Sequence, residues 1–154
     1  MLSPRSTILY GVAAVSALAA AGPASTAGTG AARLRPDLIE ARLSNPPARV
    51  APGGTFALTD VVANRGRATA RRSTTVYTLT GGELRVAVAS RAIPRLRPRR
   101  SSRGTAKVTI PAATQNGTYT IVACADATHA VAESNERNNC RTSTPFVVRR
   151  PPLP

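Results

Sequence analysis

Apolar and polar residues alternate along most of the chain beyond Arg33, in short runs separated by Pro, Gly and Asn. Alternation with a period of two places every second side chain on one face, which is the pattern of a half-buried strand. No stretch repeats apolar residues at helical spacing for more than a turn. Seven strands are therefore predicted, at residues 37–43, 55–64, 73–80, 84–90, 105–110, 118–125 and 141–148. Strands of this length and spacing are typical of an all-β, antiparallel sandwich.

Turn-forming residues separate the predicted strands. Asn45-Pro46-Pro47 and Ala51-Pro52-Gly53-Gly54 contain prolines, which cannot donate to a ladder, so the chain turns there or runs along an edge. Asn64-Arg65-Gly66, Gly81-Gly82 and Asn116-Gly117 contain residues that tolerate positive φ. These motifs are interpreted first as turns.

The alternation also predicts the core. Phe56, Leu58 and Val62 share one phase of the second predicted strand, so they are expected to face inward. Asp60 has the same phase, and it must either bulge outward or be buried with a hydrogen-bond partner. Tyr119 opens the sixth strand after a turn, where sandwiches often use a tyrosine hydroxyl to tie the corner.

The first 27 residues have the pattern of an export signal. Arg5 precedes an apolar run at residues 8–21, and small residues follow at Ser25-Thr26-Ala27. We predict cleavage after Ala27, with Ala24 as the second choice. The run is about 14 residues long, shorter than the ~20 needed to span a bilayer. An uncleaved anchor or a buried helix is the alternative. Export would place the chain in an oxidising compartment.

The chain is strongly basic. It has 154 residues, with 21 Lys and Arg against 7 Asp and Glu, giving a formal charge of +14. A field of that sign favours anionic partners. Lys107 is the only lysine and alanine is abundant, so the codon usage of a GC-rich genome is an alternative source of the arginines.

Two connections concentrate this charge. The loop predicted before the fifth strand holds the candidate anion-binding residues Arg95, Arg97, Arg99, Arg100 and Arg103. A second connection holds Arg65, Arg67, Arg71 and Arg72. Guanidinium groups suit phosphate and carboxylate. No aromatic residues are interleaved, so specific nucleic-acid recognition is not expected. A solvated, flexible loop is the alternative.

Cys124 and Cys140 lie at the end of the sixth and the start of the seventh predicted strand. If these strands pair antiparallel, the two residues sit opposite each other and can form a structural disulfide. The loop between them carries the carboxylates Asp126, Glu133 and Glu136, which make a calcium site conceivable. The alternative is that such side chains bond the loop's own backbone. No other metal or cofactor is expected.

Two parts of the sequence resemble the CARDB family, the cell-adhesion-related domain found in bacteria. The opening motifs are Pro36-Asp37-Leu38-Ile39, Asn45-Pro46-Pro47, Ala51-Pro52-Gly53-Gly54-Thr55-Phe56 and Asn64-Arg65-Gly66. The closing motifs are Ile110-Pro111, Asn116-Gly117-Thr118-Tyr119, Cys124-Ala125-Asp126-Ala127 and the run from Val131 to Cys140. The resemblance spans residues 35–148. It implies an immunoglobulin-like sandwich, usually repeated within large exported surface proteins and acting in adhesion or as a spacer.

The sequence departs from that family in two ways. It holds one copy where several are common, which argues against a pure spacer, and the loop at residues 95–103 is unusually rich in arginine.

The strand pattern and the resemblance together predict a seven-stranded, immunoglobulin-like antiparallel β-sandwich preceded by a signal-peptide helix. Its expected parts are a signal peptide (1–27), a linker (28–35), the sandwich (36–149) and a Pro-rich tail (150–154), with no membrane span left after cleavage.

The expected function is non-catalytic. His129 is the only histidine, and no serine elbow, metal motif or phosphate-cradling loop accompanies it. We expect a secreted or surface-associated, monomeric binding or adhesion module whose partner is an extracellular protein or an anionic envelope polymer. The alternative is a structural or inhibitor-like domain with a separate protein partner and incidental charge.

Overall fold

The computed structural model describes residues 33–152, and the predicted signal peptide and its cleavage sites lie outside the described residues. Strands account for all the regular structure in that range. They are β1 (Leu38–Leu43), β2 (Arg49–Val50), β3 (Thr55–Asn64), β4 (Ser73–Gly81), β5 (Leu84–Ile93), β6 (Ser101–Thr109), β7 (Gly117–Cys124), β8 (Cys140–Thr142) and β9 (Phe146–Val148). No helix within this range is long and apolar enough to cross a membrane.

The strands form two sheets. The smaller has the order β1-β3-β6, and the larger has the order β2-β9-β7-β4-β5, with β8 also paired to β7. Side chains from both sheets contribute to the same buried clusters, so the sheets pack face to face. The expected all-β, immunoglobulin-like sandwich is therefore correct.

The count of seven strands is wrong, because the described residues form nine. The predicted last strand, 141–148, is divided into β8 and β9. At the break the Ser143 hydroxyl accepts a hydrogen bond from the Ile121 N–H (3.0 Å), and Pro145 has no N–H to donate. The extra strand β2 is only two residues long, too short for alternation to reveal.

The expectation of purely antiparallel pairing also needs correction. β2 pairs with β9 in parallel, with Arg49 opposite Val147 and Val50 opposite Val148. The prolines on either side of β2 keep its ladder short, and its place is at the edge of the larger sheet. The remaining strand pairs are antiparallel.

The core consists of two apolar clusters. The larger surrounds Leu58, Tyr77 and Ile121, and the smaller surrounds Leu38, Val62 and Ile93. Leu58 and Val62 belong to the inward phase of β3, as the sequence predicts. Asp60 lies between them on the same strand and is fully buried, so a polar layer separates the two clusters.

Tyr119 ties a corner of the sandwich, as expected. Its hydroxyl donates a hydrogen bond to the carbonyl of Gln115, four residues earlier in the chain (3.1 Å). The ring also packs closely against Gly81, where an added Cβ would lie 2.5 Å from Tyr119 Cδ1. Only glycine fits at position 81, because the Tyr119 ring lies too close for any side chain.

Candidate functional site: the arginine-rich end of the sandwich

The connection between β5 and β6 is shorter than the sequence suggests. β6 begins at Ser101, because β3 extends to pair Ala63 with Ser101 and Val61 with Arg103. The loop therefore covers residues 94–100. Arg103 is a strand residue, exposed beside Arg42 at a shallow depression on the smaller sheet. It lies outside the loop in which it was predicted.

Leu96 anchors this short loop. Its backbone exchanges two hydrogen bonds with Ala70, at 2.9 and 3.0 Å, and its side chain is 4 % exposed. Arg99 adopts a positive φ of 60°, a conformation that a residue other than glycine seldom adopts. The loop is thus fixed through its backbone, while its remaining candidate side chains are exposed: Arg95, Arg97, Arg99 and Arg100.

Asn64, the last residue of β3, joins the two arginine-bearing connections. Its Nδ2 donates to the carbonyls of Ala68 (2.8 Å) and Leu96 (3.0 Å). Its Oδ1 accepts from the Asp37 N–H (3.1 Å) and the Gly66 N–H (3.0 Å). Its backbone bonds both Arg99 and Arg100. One buried amide therefore fixes the connection at 65–72 against the loop at 94–100.

As a result, the two arginine clusters predicted separately lie at the same end of the sandwich. We call residues 65–72 and 94–100 together the arginine-rich end. All eight of its arginines are exposed. The ion pairs found between residues 33 and 152 are Arg91 with Asp60 and His129 with Glu136. No carboxylate in that part of the chain forms an ion pair with an arginine of the arginine-rich end.

Two carboxylates of the acidic loop between the cysteines accept hydrogen bonds from the loop's own backbone. Asp126 accepts from the N–H groups of Ala130 (3.0 Å) and Val131 (2.8 Å). Glu136 accepts from the N–H of Glu133 (2.8 Å). These bonds match the loop-stabilising alternative.

Glu133 holds the acidic loop to β1 and completes the set of calcium candidates. Its carboxylate accepts from the Leu38 N–H and from Asn139 Nδ2 (2.8 Å), and burial raises its pKa to about 7. Within residues 33–152, Asp126, Glu133 and Glu136 do not converge on a position that could hold a metal ion.

Cys124 and Cys140 form the expected disulfide. They are directly opposite each other in the antiparallel pairing of β7 and β8, with their Cα atoms 4.0 Å apart. The bond closes the acidic loop at its base. His129 lies exposed within that loop, with Nδ1 3.4 Å from Glu136 Oε2.

The polar layer between the two apolar clusters contains Glu40, Asp60 and Arg91. Arg91 reaches in from β5, and its Nη2 donates to Asp60 Oδ2 on β3 (2.5 Å). The expectation that an inward Asp60 would have a hydrogen-bond partner is therefore correct. Gly104 is opposite Asp60 on β6, and a Cβ there would lie 2.7 Å from Arg91 Cδ, so glycine leaves the space that Arg91 crosses.

Glu40 is the third member of the polar layer and is 3 % exposed. Burial, together with the neighbouring Asp60 carboxylate, raises its pKa to about 8. A protonated Glu40 can donate to Asp60, which provides a partner for oxygens that are otherwise unbonded. The sequence prediction missed Glu40 and Arg91, although Glu40 shares the inward phase of Leu38 in β1.

The two packed sheets and their tied corner define a small domain of the immunoglobulin-like class, with exposed positive charge at one end. The chain belongs to the CARDB family, whose family model matches residues 35–143. The family is associated with cell surfaces. No curated protein matches the sequence.

Solved structures show the same fold. The CARDB domain of a Pyrococcus furiosus protein, determined in complex with di-metal ions, is 24% identical, with 74% of this chain and 94% of that chain covered and a TM-score of 0.55. A domain assigned to a cell surface protein of Methanosarcina acetivorans is 22% identical, with 75% and 93% covered and a TM-score of 0.55.

An enzyme also contains a similar sandwich. A β-glucosidase of Erythrobacter marinus is 9% identical, with 74% of this chain but only 16% of that chain covered and a TM-score of 0.52. The similarity is confined to a small part of the enzyme. It shows the sandwich fold and does not indicate enzymatic activity in this chain.

Proposed function

We propose that this chain is an exported, non-catalytic binding or adhesion module at the cell surface or exterior, and that its arginine-rich end binds an anionic polymer of the envelope. The supporting observation is that Asn64 joins two separate arginine-bearing connections. Eight exposed arginines then share one end and can engage several anionic groups at once.

Two further features support a binding role. The loop backbone is anchored by Leu96 and Asn64, so little backbone order has to be gained on binding. The arginines also lack carboxylate partners within residues 33–152, so an anionic ligand does not compete with internal ion pairs. Membership of a surface-associated family supports an extracellular location.

The proposal is tested by changing the position of the charge at constant net charge. One variant replaces Arg97, Arg99 and Arg100 with Gln, and its control replaces the exposed Arg42, Arg85 and Arg149 with Gln. Binding to inorganic polyphosphate is measured by calorimetry at several salt concentrations. We expect the first variant to lose on the order of tenfold in affinity, because clustered guanidinium groups act together, and the control to lose much less.

Both variants lose three positive charges, so generic attraction would weaken them equally. Equal losses would therefore argue against a localised site. Thermal unfolding of each variant checks that the fold is retained, which is expected because these side chains are exposed.

A further inference from the structure

A cleft of about 300 Å³ lies beside β1 and the turn that follows β3. Four of its lining residues are Arg33, Arg35, Arg65 and Arg67. Arg33 and Arg35 come from the extended segment that precedes β1, and they were not among the candidates from sequence. The cleft therefore collects arginines from two distant parts of the chain.

Backbone hydrogen bonds fix the walls of this cleft. The carbonyl of Arg35 accepts from the N–H of Arg67 (3.0 Å), and the carbonyl of Asp37 accepts from the N–H of Arg65 (2.7 Å). Gly66 lies so close to the opposite wall that an added Cβ would be 2.4 Å from the Arg35 carbonyl oxygen. The two arginine pairs are thus held together by main-chain contacts that do not depend on the arginine side chains.

The charge of the cleft is not balanced by its own acid. Among the described residues, Asp37 is the only carboxylate that lines it, and Asp37 Oδ1 already accepts a hydrogen bond from Asn138 Nδ2 (3.0 Å). None of the four arginines forms an ion pair with a residue in the 33–152 range. Four arginines and one carboxylate line the cleft, a formal excess of three positive charges, and Arg35 Nη1 also donates to the carbonyl of Glu133 (3.4 Å).

Leu34 also lines the cleft and is 62 % exposed. It is the one large hydrophobic side chain that is exposed in the described part of the chain. The cleft is therefore lined by an apolar side chain as well as by arginines.

We propose that this cleft binds a phosphate group, either free or as the headgroup of an anionic lipid. Four guanidinium groups offer paired N–H donors for more oxygens than one carboxylate has. A phosphate group has several anionic oxygens and can therefore accept from more of these donors. In the lipid case, Leu34 contacts the apolar part of the same molecule. The inference rests on the proposed function, since it names the ligand chemistry at one part of the arginine-rich end.

The test uses the full chain and two probes, inorganic pyrophosphate and vesicles containing phosphatidylglycerol. Binding is followed by calorimetry and vesicle co-sedimentation for the wild type, for Arg65→Gln with Arg67→Gln, and for the charge-matched control Arg42→Gln with Arg85→Gln. We expect the cleft variant to weaken binding of at least one probe about tenfold, and the control to change it less than about twofold.

Leu34→Ser distinguishes the two sources of phosphate. If the wild type binds vesicles and Leu34→Ser loses this binding while it still binds pyrophosphate, the ligand is a lipid headgroup. If the wild type does not bind vesicles and Leu34→Ser binds pyrophosphate as the wild type does, the ligand is free phosphate. Absence of binding to both probes, or equal weakening by the cleft and control variants, would overturn the proposal.

The Arg97, Arg99 and Arg100 variant is measured in the same assays and with polyphosphate. If polyphosphate binding depends on those three arginines while the cleft variant has no specific effect, the cleft proposal fails and the proposed function stands. If polyphosphate binding is equally sensitive to arginines elsewhere, the proposed function fails. The two failures are therefore distinguishable.

Discussion

At the scale of single residues, the most unusual environment belongs to Glu40. An isolated ionised carboxylate is costly to bury, and the neighbouring Asp60 already pairs with Arg91. The neutral acid avoids a second buried negative charge and can donate to Asp60. The raised pKa of Glu40, about 8, reflects these conditions.

Glu40 makes stability depend on pH. Its pKa is about 8 in the folded chain against 4.5 as the ordinary value, so unfolding releases a proton between these limits. The contribution of Glu40 to stability is therefore fully present below about pH 4.5 and is lost as the pH rises toward 8, by on the order of 2–4 kcal/mol. Glu133, with a pKa of about 7, contributes with the same sign over a narrower range.

Glu40→Gln should remove most of this decrease, because the amide stays neutral and can still donate to Asp60. Urea unfolding of the wild type and the variant at pH 5, 6, 7 and 8 provides the measurement. The residual slope of the variant should end near pH 7, where Glu133 has titrated. Parallel profiles for the two proteins would contradict the role given to Glu40.

The Asp60–Arg91 pair should show strong coupling. Removing one partner alone, as in Asp60→Leu or Arg91→Met, leaves an unpaired buried charge and should cost about 3–5 kcal/mol. The double variant should cost clearly less than the sum, because it leaves neither charge behind. Chemical unfolding of all four proteins gives the coupling energy, and additive losses would show that the pair does not act as a unit.

At the scale of elements, the disulfide holds β8 against β7 over a pairing of only three residues on each strand. Asp126 and Glu136 stabilise the enclosed loop through its backbone, and Glu133 accepts a hydrogen bond from the Asn139 side chain within it. The bond at the base of the loop and the carboxylate contacts within it therefore act on the same segment.

Replacing Cys124 and Cys140 with Ser should destabilise the domain by about 3 kcal/mol, the value expected for opening a loop of this size. The sandwich should persist, since the core clusters do not include either cysteine. Circular dichroism and thermal unfolding measure both effects. Mass spectrometry after alkylation, with and without reductant, checks the bond in the wild type; identical alkylation in the two samples would show that the cysteines are not bonded.

The long strands could be predicted because each has one buried face. The residues 55–64 predicted from alternation coincide with β3, Thr55–Asn64. Shorter elements carry too few residues for a period to emerge, which explains why β2 was missed. The arginine loop was predicted to end at Arg103, although β6 begins at Ser101. The error arose because Arg103 faces outward from its strand and is as polar as a loop residue.

The candidate site was only partly accessible from sequence. Arg65 and Arg97 could be recognised as members of clusters, but their proximity depends on tertiary hydrogen bonds of Asn64. Asp60 was recognisable because it interrupts an apolar phase, whereas its partner Arg91 lies beyond the predicted end of its strand. The burial of Arg91 depends on its contact with Asp60 across the sandwich, and residues adjacent to Arg91 in the chain give no sign of it.

At the scale of the whole molecule, the position of charge depends on packing at the end of the sandwich. The chain carries 21 Lys and Arg, and exposed arginines occur on other surfaces as well, such as Arg42 and Arg85. What distinguishes the arginine-rich end is that Asn64 bonds both of its connections. Anion binding at this end should therefore depend on the arrangement of the arginines as well as on the net charge.

Asn64→Ala tests this arrangement without changing net charge. It removes two donated and two accepted side-chain hydrogen bonds, so we expect a loss of stability of about 2–4 kcal/mol. Polyphosphate affinity should also fall several-fold at a temperature where the variant remains folded, because the two connections are no longer fixed together. Val108→Ala is the control, since it lies in the larger apolar cluster and should cost a similar stability while keeping the affinity. Equal affinities for the wild type and both variants would mean that binding does not depend on how Asn64 positions the arginines.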